Sequence, residues 1–148
     1  MDFKKFKAAT VQTSPVFLNV EKTIEKAISF VKEASENGAT LIAFPEVFVA
    51  GYPYWNWIMT PVQGSKWYEK LYKCSVKVDD ESMKPLFQAA IDYNCHIVIG
   101  INERGDSYGE IYNTNLIIDN KGVIVGKHRK LVPTWAEKLT WSSGDGSS

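Results

Sequence analysis

The sequence predicts an α/β fold: a mixed β-sheet with helices packed on one face. Three observations carry that expectation. Two amphipathic stripes with helical spacing each sit between short apolar runs, and the stretch that follows them alternates around turn chemistry. The resulting order, β-α-β-α-β-β-β, places early strands parallel and late ones antiparallel in a single sheet.

The first strand is expected over residues 7–12, closed by Thr13-Ser14-Pro15. Val20, Ile24, Ala27, Ile28, Val31 and Ala34 then recur every three or four residues. Asn19 is placed to cap that helix and Gly38 to stop it. Residues 40–44 form an apolar run too short for a helix, as a strand buried on both faces would be, and Pro45 ends it. From 52 to 78 no steady period emerges, and the stretch reads as a long aromatic loop holding Tyr54, Trp55, Trp57, Trp67, Tyr68 and Tyr72. A second helix carries Met83, Leu86, Phe87, Ala90 and Ile91, with Pro85 tolerable only in its first turn and Asn94 as its exit. Residues 96–101 are again a buried run. Residues 111–118 and 123–126 flank the turn Asp119-Asn120-Lys121-Gly122. Two helices cannot cover both faces of such a sheet, so an apolar face is expected to need a partner.

With 148 residues, 17 basic and 17 acidic, the chain has the size of one domain and no net charge. That balance provides no field for nucleic acid or an anionic membrane and suits a small neutral partner. No apolar run approaches the ~18 residues of a membrane span, and no leader-like apolar segment follows the first lysines. Cys74 and Cys95 fit neither a disulfide framework nor a metal pattern, and there are two histidines. A reduced, cytoplasmic protein without a His-rich metal site is the expectation.

Two stretches bear chemistry. Glu46 follows directly on a buried strand, where α/β proteins build their sites; it is either a carboxylate capping the next turn or a base. Burial beside Phe44 and Phe48 would suit it to the second role. Far downstream, Lys127-His128-Arg129-Lys130 ends a strand, where charges usually protect an edge. Alternation puts His128 and Lys130 on one face and Lys127 and Arg129 on the other, so one lysine could turn inward. An inward lysine needs a counter-charge, and Glu46 or Glu137 could supply it.

Together these stretches resemble the nitrilase superfamily of carbon-nitrogen hydrolases. The likeness runs through Ala8-Ala9-Thr10-Val11-Gln12, Phe44-Pro45-Glu46, Gly51-Tyr52-Pro53 and Gly126-Lys127-His128-Arg129-Lys130-Leu131-Val132-Pro133-Thr134 to Glu137 and Trp141. Gly51-Tyr52-Pro53 and the spacing of Pro133-Thr134 to Glu137 resemble the nitrilase branch more than amidases or carbamoylases. The resemblance implies Glu46 as general base, Lys130 as the cation that steadies tetrahedral intermediates, and Glu137 as a second acid near the site. It also implies that a thiolate attacks a nitrile to form a thioimidate, then an acyl-enzyme, and finally an acid and ammonia, with no metal or organic cofactor required.

The same resemblance places the nucleophilic cysteine beyond Ser148. Residues 1–148 then correspond to the N-terminal half of an α-β-β-α four-layer sandwich, a partial domain inactive by itself. Neither cysteine reads as a substitute: Cys95 opens a buried strand and Cys74 lies in the aromatic stretch. Those aromatics are a satellite cluster, or else Tyr52 and Trp57 line a pocket for the nitrile's organic group while region 67–72 forms a homo-oligomer contact. Two other readings stand beside the nitrilase: a non-catalytic interaction module, and an amidase or cyanide-hydrolysing member of the superfamily.

Overall fold

The computed structural model describes residues 5–147. In chain order they form β1 (Ala8–Thr10), α1 (Val20–Glu36), β2 (Leu41–Ala43), α2 (Pro61–Cys74), α3 (Lys84–Asp92), β3 (His96–Arg104), β4 (Ile111–Ile118) and β5 (Ile124–Arg129). Short 3-10 turns occupy Tyr54–Trp57, Glu81–Met83 and Trp135–Leu139. The strands make one sheet in the order β1-β2-β3-β4-β5, parallel from β1 to β3 and antiparallel from β3 to β5. The mixed α/β sheet read from the sequence is the one found.

Local chemistry accounts for the helices. Asn19 Oδ1 accepts from the Lys22 N–H at 3.0 Å, and Gly38, at φ 83°, lets the chain leave α1. Pro85 occupies the first turn of α3, where its missing N–H costs nothing. Ile24, Ala27 and Val31 of α1 and Leu86, Ala89 and Ala90 of α3 pack on Ile42, Ile97, Ile99, Ile101, Leu116 and Ile118. Each large side chain so enclosed contributes about 1.5–3 kcal/mol.

Two expectations are corrected. The runs 40–44 and 96–101 are buried on one face, not both: Ile42, Ile97 and Ile99 are enclosed, whereas Leu41, Ala43, His96 and Val98 are half-buried because α1 and α3 cover the other side. Ile117, on that second face, is 40% exposed. The aromatic stretch is also not a continuous loop, since residues 61–74 form α2. Thr60 and Gln63 make a reciprocal capping box ahead of it, with Pro61 in the first turn. Its inward stripe is Gly64, Trp67, Tyr68, Leu71 and Cys74, a helical spacing that the small and polar members disguised.

Candidate active site

Glu46 stands on a loop that leaves the sheet and rejoins it. After β2 the Phe44 N–H donates to Val98 O at 2.8 Å, and the chain returns at Val49, whose N–H donates to Gly100 O at 3.0 Å. Between these anchors the backbone crosses directly over Gly100. A Cβ there would sit 2.6 Å from Pro45 O and 2.8 Å from the Glu46 carbonyl carbon, so only glycine permits the crossing. Val47 and Ala50 are held at φ 41° and 76°, a conformation that costs non-glycine residues roughly 1–3 kcal/mol each. Buried Asn102 over-determines the loop: its Nδ2 donates to Val49 O at 3.1 Å and Gly51 O at 2.9 Å, while its Oδ1 accepts from Trp141 Nε1 at 2.8 Å. Strain at one acidic residue's neighbour, held by a buried network, is characteristic of a functional loop.

The basic strand splits as alternation requires. Lys127 and Arg129 turn to buried Glu103, with Arg129 making two hydrogen bonds of 2.7–2.8 Å and Thr114 a third at 2.7 Å. Lys130 turns to the opposite face. Its Nζ donates to Glu46 Oε1 at 2.9 Å and to Glu137 Oε2 at 2.8 Å, so both expected counter-charges share one ammonium. Glu137 is fixed by its own 3-10 turn, where the Thr134 N–H donates to Oε2 at 2.6 Å. Tyr52 OH donates to Glu137 Oε1 at 2.9 Å, and Trp57 Nε1 donates to Tyr52 OH at 3.2 Å. All five residues singled out in the sequence therefore lie in one hydrogen-bonded chain.

The electrostatics follow from that chain. Burial works against charge on Lys130, but Glu137 and Glu46 outweigh it and hold the ammonium above its ordinary range. Burial likewise opposes ionisation of Glu137, yet Lys130, the Thr134 N–H and Tyr52 together keep its carboxyl below the usual value. Burial raises the Tyr52 phenol; the Trp57 hydrogen bond opposes this and Glu137 reinforces it, so Tyr52 stays a donor. Glu46 differs from expectation in its surroundings. Phe44 and Phe48 turn into the core, while the Glu46 side chain remains 49% exposed.

Two cavities meet at Glu46. One, of about 480 Å³, is walled by Phe17, Phe48, Tyr52, Trp55, Met59 and Trp67. The other, of about 280 Å³, is polar and lined by Glu46, Asn113, Asn115, His128 and Lys130 on the sheet face away from α1 and α3. Trp57 borders neither; it is 48% exposed and stands edge-on to Trp135 at 6.2 Å. Trp67 instead stacks on Trp55 at 6.3 Å within the second core cluster.

Neither thiol joins the chain. Cys95 is enclosed in the main core and Cys74 Sγ donates to Leu18 O at 3.2 Å; burial pushes both thiols up, which disfavours the reactive thiolate. Among the described residues no group of three or more His, Cys, Asp and Glu side chains is placed to hold a metal ion.

Sequence reasoning missed Asn113, whose Nδ2 donates to Glu46 Oε1 at 2.7 Å, together with Gly100, Asn102 and Glu103. Gly100 had a legible signal, since glycine inside a strand often marks a close backbone approach. Asn113 had a weaker one, a polar residue on the face of β4 shared with Lys130.

The carbon-nitrogen hydrolase family model matches residues 7–148. An aliphatic nitrilase of Rhodococcus rhodochrous is 41% identical over 143 residues, covering 96% of this chain and 38% of that protein. A nitrilase of Bacillus sp. (strain OxB-1) is 41% identical over 146 residues, covering 99% and 42%. A cyanide hydratase of Stereum hirsutum is 35% identical over 148 residues, covering 100% and 39%. The chain thus spans about two fifths of the length of these curated relatives. In structure, an amidase from Nesterenkonia sp. superposes with a TM-score of 0.69 at 19% identity, covering 93% of this chain and 48% of the amidase, which is a likeness of fold.

Proposed function

Because this chain belongs to the carbon-nitrogen hydrolase family, we propose that it supplies the acid-base half of a nitrilase site, hydrolysing a nitrile to a carboxylic acid and ammonia. The observation that carries the reading is Lys130, held between Glu46 and Glu137 at 2.9 and 2.8 Å. In this scheme residues 1–148 are a partial domain, and the thiol comes from sequence beyond them. Support comes from the share of the relatives' length that is matched, from the placement of Cys74 and Cys95, and from the sheet face that α1 and α3 leave uncovered.

Each role follows from chemistry. The thiol adds its sulfur to the nitrile carbon as Glu46 takes its proton and hands it to the nitrile nitrogen, giving a thioimidate and leaving Glu46 a carboxylate again. Glu46 then draws a proton from water, the hydroxyl adds, and ammonia leaves a thioester. A second water, deprotonated the same way, releases the acid and returns the thiol. Lys130 donates to the charge that develops on each tetrahedral intermediate, where one fixed donor is worth roughly 3 kcal/mol. Glu137, anchored by Thr134 and Tyr52, keeps Lys130 charged and aimed.

The full-length protein should release equal amounts of acid and ammonia from a nitrile. Release of the amide alone from cyanide would favour the second reading, supported by 34–36% identity to several cyanide hydratases. No helix among the described residues is long and apolar enough to cross a membrane. A homo-oligomer contact near residues 67–72 would use the outer face of α2, because Trp67 and Tyr72 already pack inward; sedimentation of the full-length protein tests it.

A further inference from the structure

We propose that the cavity walled by Phe17, Trp55 and Met59 receives the organic group of the substrate, selecting nitriles with an aryl or branched alkyl substituent over hydrogen cyanide. This deepens, and rests on, the nitrilase reading above.

Geometry supplies the argument. Glu46 borders both the apolar cavity and the polar recess that contains Lys130, and no other side chain is common to the two linings. A molecule reacting beside Glu46 therefore has one polar and one apolar direction in which to extend. A nitrile has that shape, with a small polar head on a carbon body. The cavity volume of about 480 Å³ lies within the roughly 300–1,000 Å³ of clefts that enclose organic ligands. Hydrogen cyanide, with two heavy atoms, would leave those walls unfilled.

The walls also match the proposed guest. Phe17 meets Trp55 edge-on at 6.4 Å and Trp55 stacks on Trp67, so the cavity presents ring faces and edges. Gly51 lets Phe17 close the wall, since a Cβ there would lie 2.8 Å from the Phe17 ring. Among the described lining residues Glu46 is the one charged side chain, so a substituent bearing a carboxylate finds no cation there and meets a like charge at the mouth.

The test compares acetonitrile, isovaleronitrile, phenylacetonitrile and cyanide as substrates of the full-length protein, with phenylacetonitrile quenching of tryptophan fluorescence read in parallel. Phenylacetonitrile should exceed acetonitrile in kcat/KM by at least about tenfold, as expected when a hydrophobic pocket discriminates by size. Ser14→Trp, which adds an indole to the cavity lining, should remove at least about tenfold from phenylacetonitrile and leave the much smaller acetonitrile within about twofold. Phe17→Ala should shift the preference toward larger nitriles. Equal losses on both nitriles in Ser14→Trp, or cyanide and acetonitrile turned over as well as phenylacetonitrile, would overturn the proposal. If no nitrile or cyanide is hydrolysed, the nitrilase reading fails; the cavity assignment then stands on quenching that Ser14→Trp abolishes and falls if the wild-type protein shows none.

Discussion

Lys130 and Glu46 are 84 residues apart and meet at 2.9 Å across the sheet face opposite α1 and α3. Glu46 arrives on a loop strained at Val47, and Lys130 arrives as the residue that follows β5. Each is aimed by a buried partner of its own, Asn113 for the carboxylate and Glu137 for the ammonium.

Replacing Glu46 by Gln should lower kcat of the full-length enzyme by about 10²–10⁴-fold, the usual contribution of a general base. Folding should be nearly unchanged, because the side chain is 49% exposed. Ammonia release and a thermal melt read the two effects separately. Near-normal turnover in Glu46→Gln would reduce the residue to a turn cap.

Asn113→Ala deletes the donor to Glu46 Oε1 and should lower kcat roughly tenfold with KM little changed, as when a group acts in the transition state rather than in binding. An unchanged kcat in a folded Asn113→Ala variant would show that Asn113 is only structural.

Gly100→Ala introduces a methyl group into backbone. It should destabilise by about 1–3 kcal/mol, as overpacking does, and should cut activity beyond what the remaining folded fraction explains. Far-UV circular dichroism with active-site titration separates the two losses.

Acid should unfold the protein through Glu103 and Glu137. Burial opposes both charges, but Arg129, Thr114 and Lys127 around Glu103, and Lys130 around Glu137, hold both carboxyls below 4.5 in the folded state. A folded value below the unfolded one stabilises fully above about pH 4.5, and that contribution is lost as pH falls through the folded values. Glu103→Gln should cost about 2 kcal/mol at pH 7, less than the ~3–5 of a fully buried broken pair because Lys127 and Arg129 keep contact with water. Its melting temperature should also fall less steeply than that of the wild type as pH drops below about 4.5. A parallel pH dependence in the two proteins would remove Glu103 from this account.

Cys74→Ala and Cys95→Ala should leave kcat of the full-length enzyme within about twofold, since both thiols are held protonated away from the Glu46–Lys130 chain. Residues 1–148 assayed alone should release no ammonia. Activity that vanished with either substitution would make that thiol the nucleophile.

Much of the fold was legible because its signals are local. The Asn19 cap, the Gly38 exit, Pro85 in a first turn and the bounds of β4 need only neighbours within a few residues. α2 escaped because its inward stripe includes Gly64 and Cys74, which carry little hydropathy, although Thr60-Pro61-Val62-Gln63 already spelled its cap. Burial on both faces was overestimated for β2 and β3 because apolarity records what a strand can bury, and the covering layer is a separate matter.

For the site, alternation alone determined that Lys130 faces away from Lys127 and Arg129, and strand-end position marked Glu46 as a carboxylate of interest. Those are periodicities of 2 along one segment, and no distant contact enters them. Only the tertiary structure decided that one ammonium serves both Glu46 and Glu137, that Asn113 and Gly100 place the carboxylate, and that an apolar cavity opens on its far side. The meetings at Glu46 join it to Gly100, Asn113 and Lys130, 54, 67 and 84 residues away, and such meetings depend on sheet register and loop path, which no local pattern encodes.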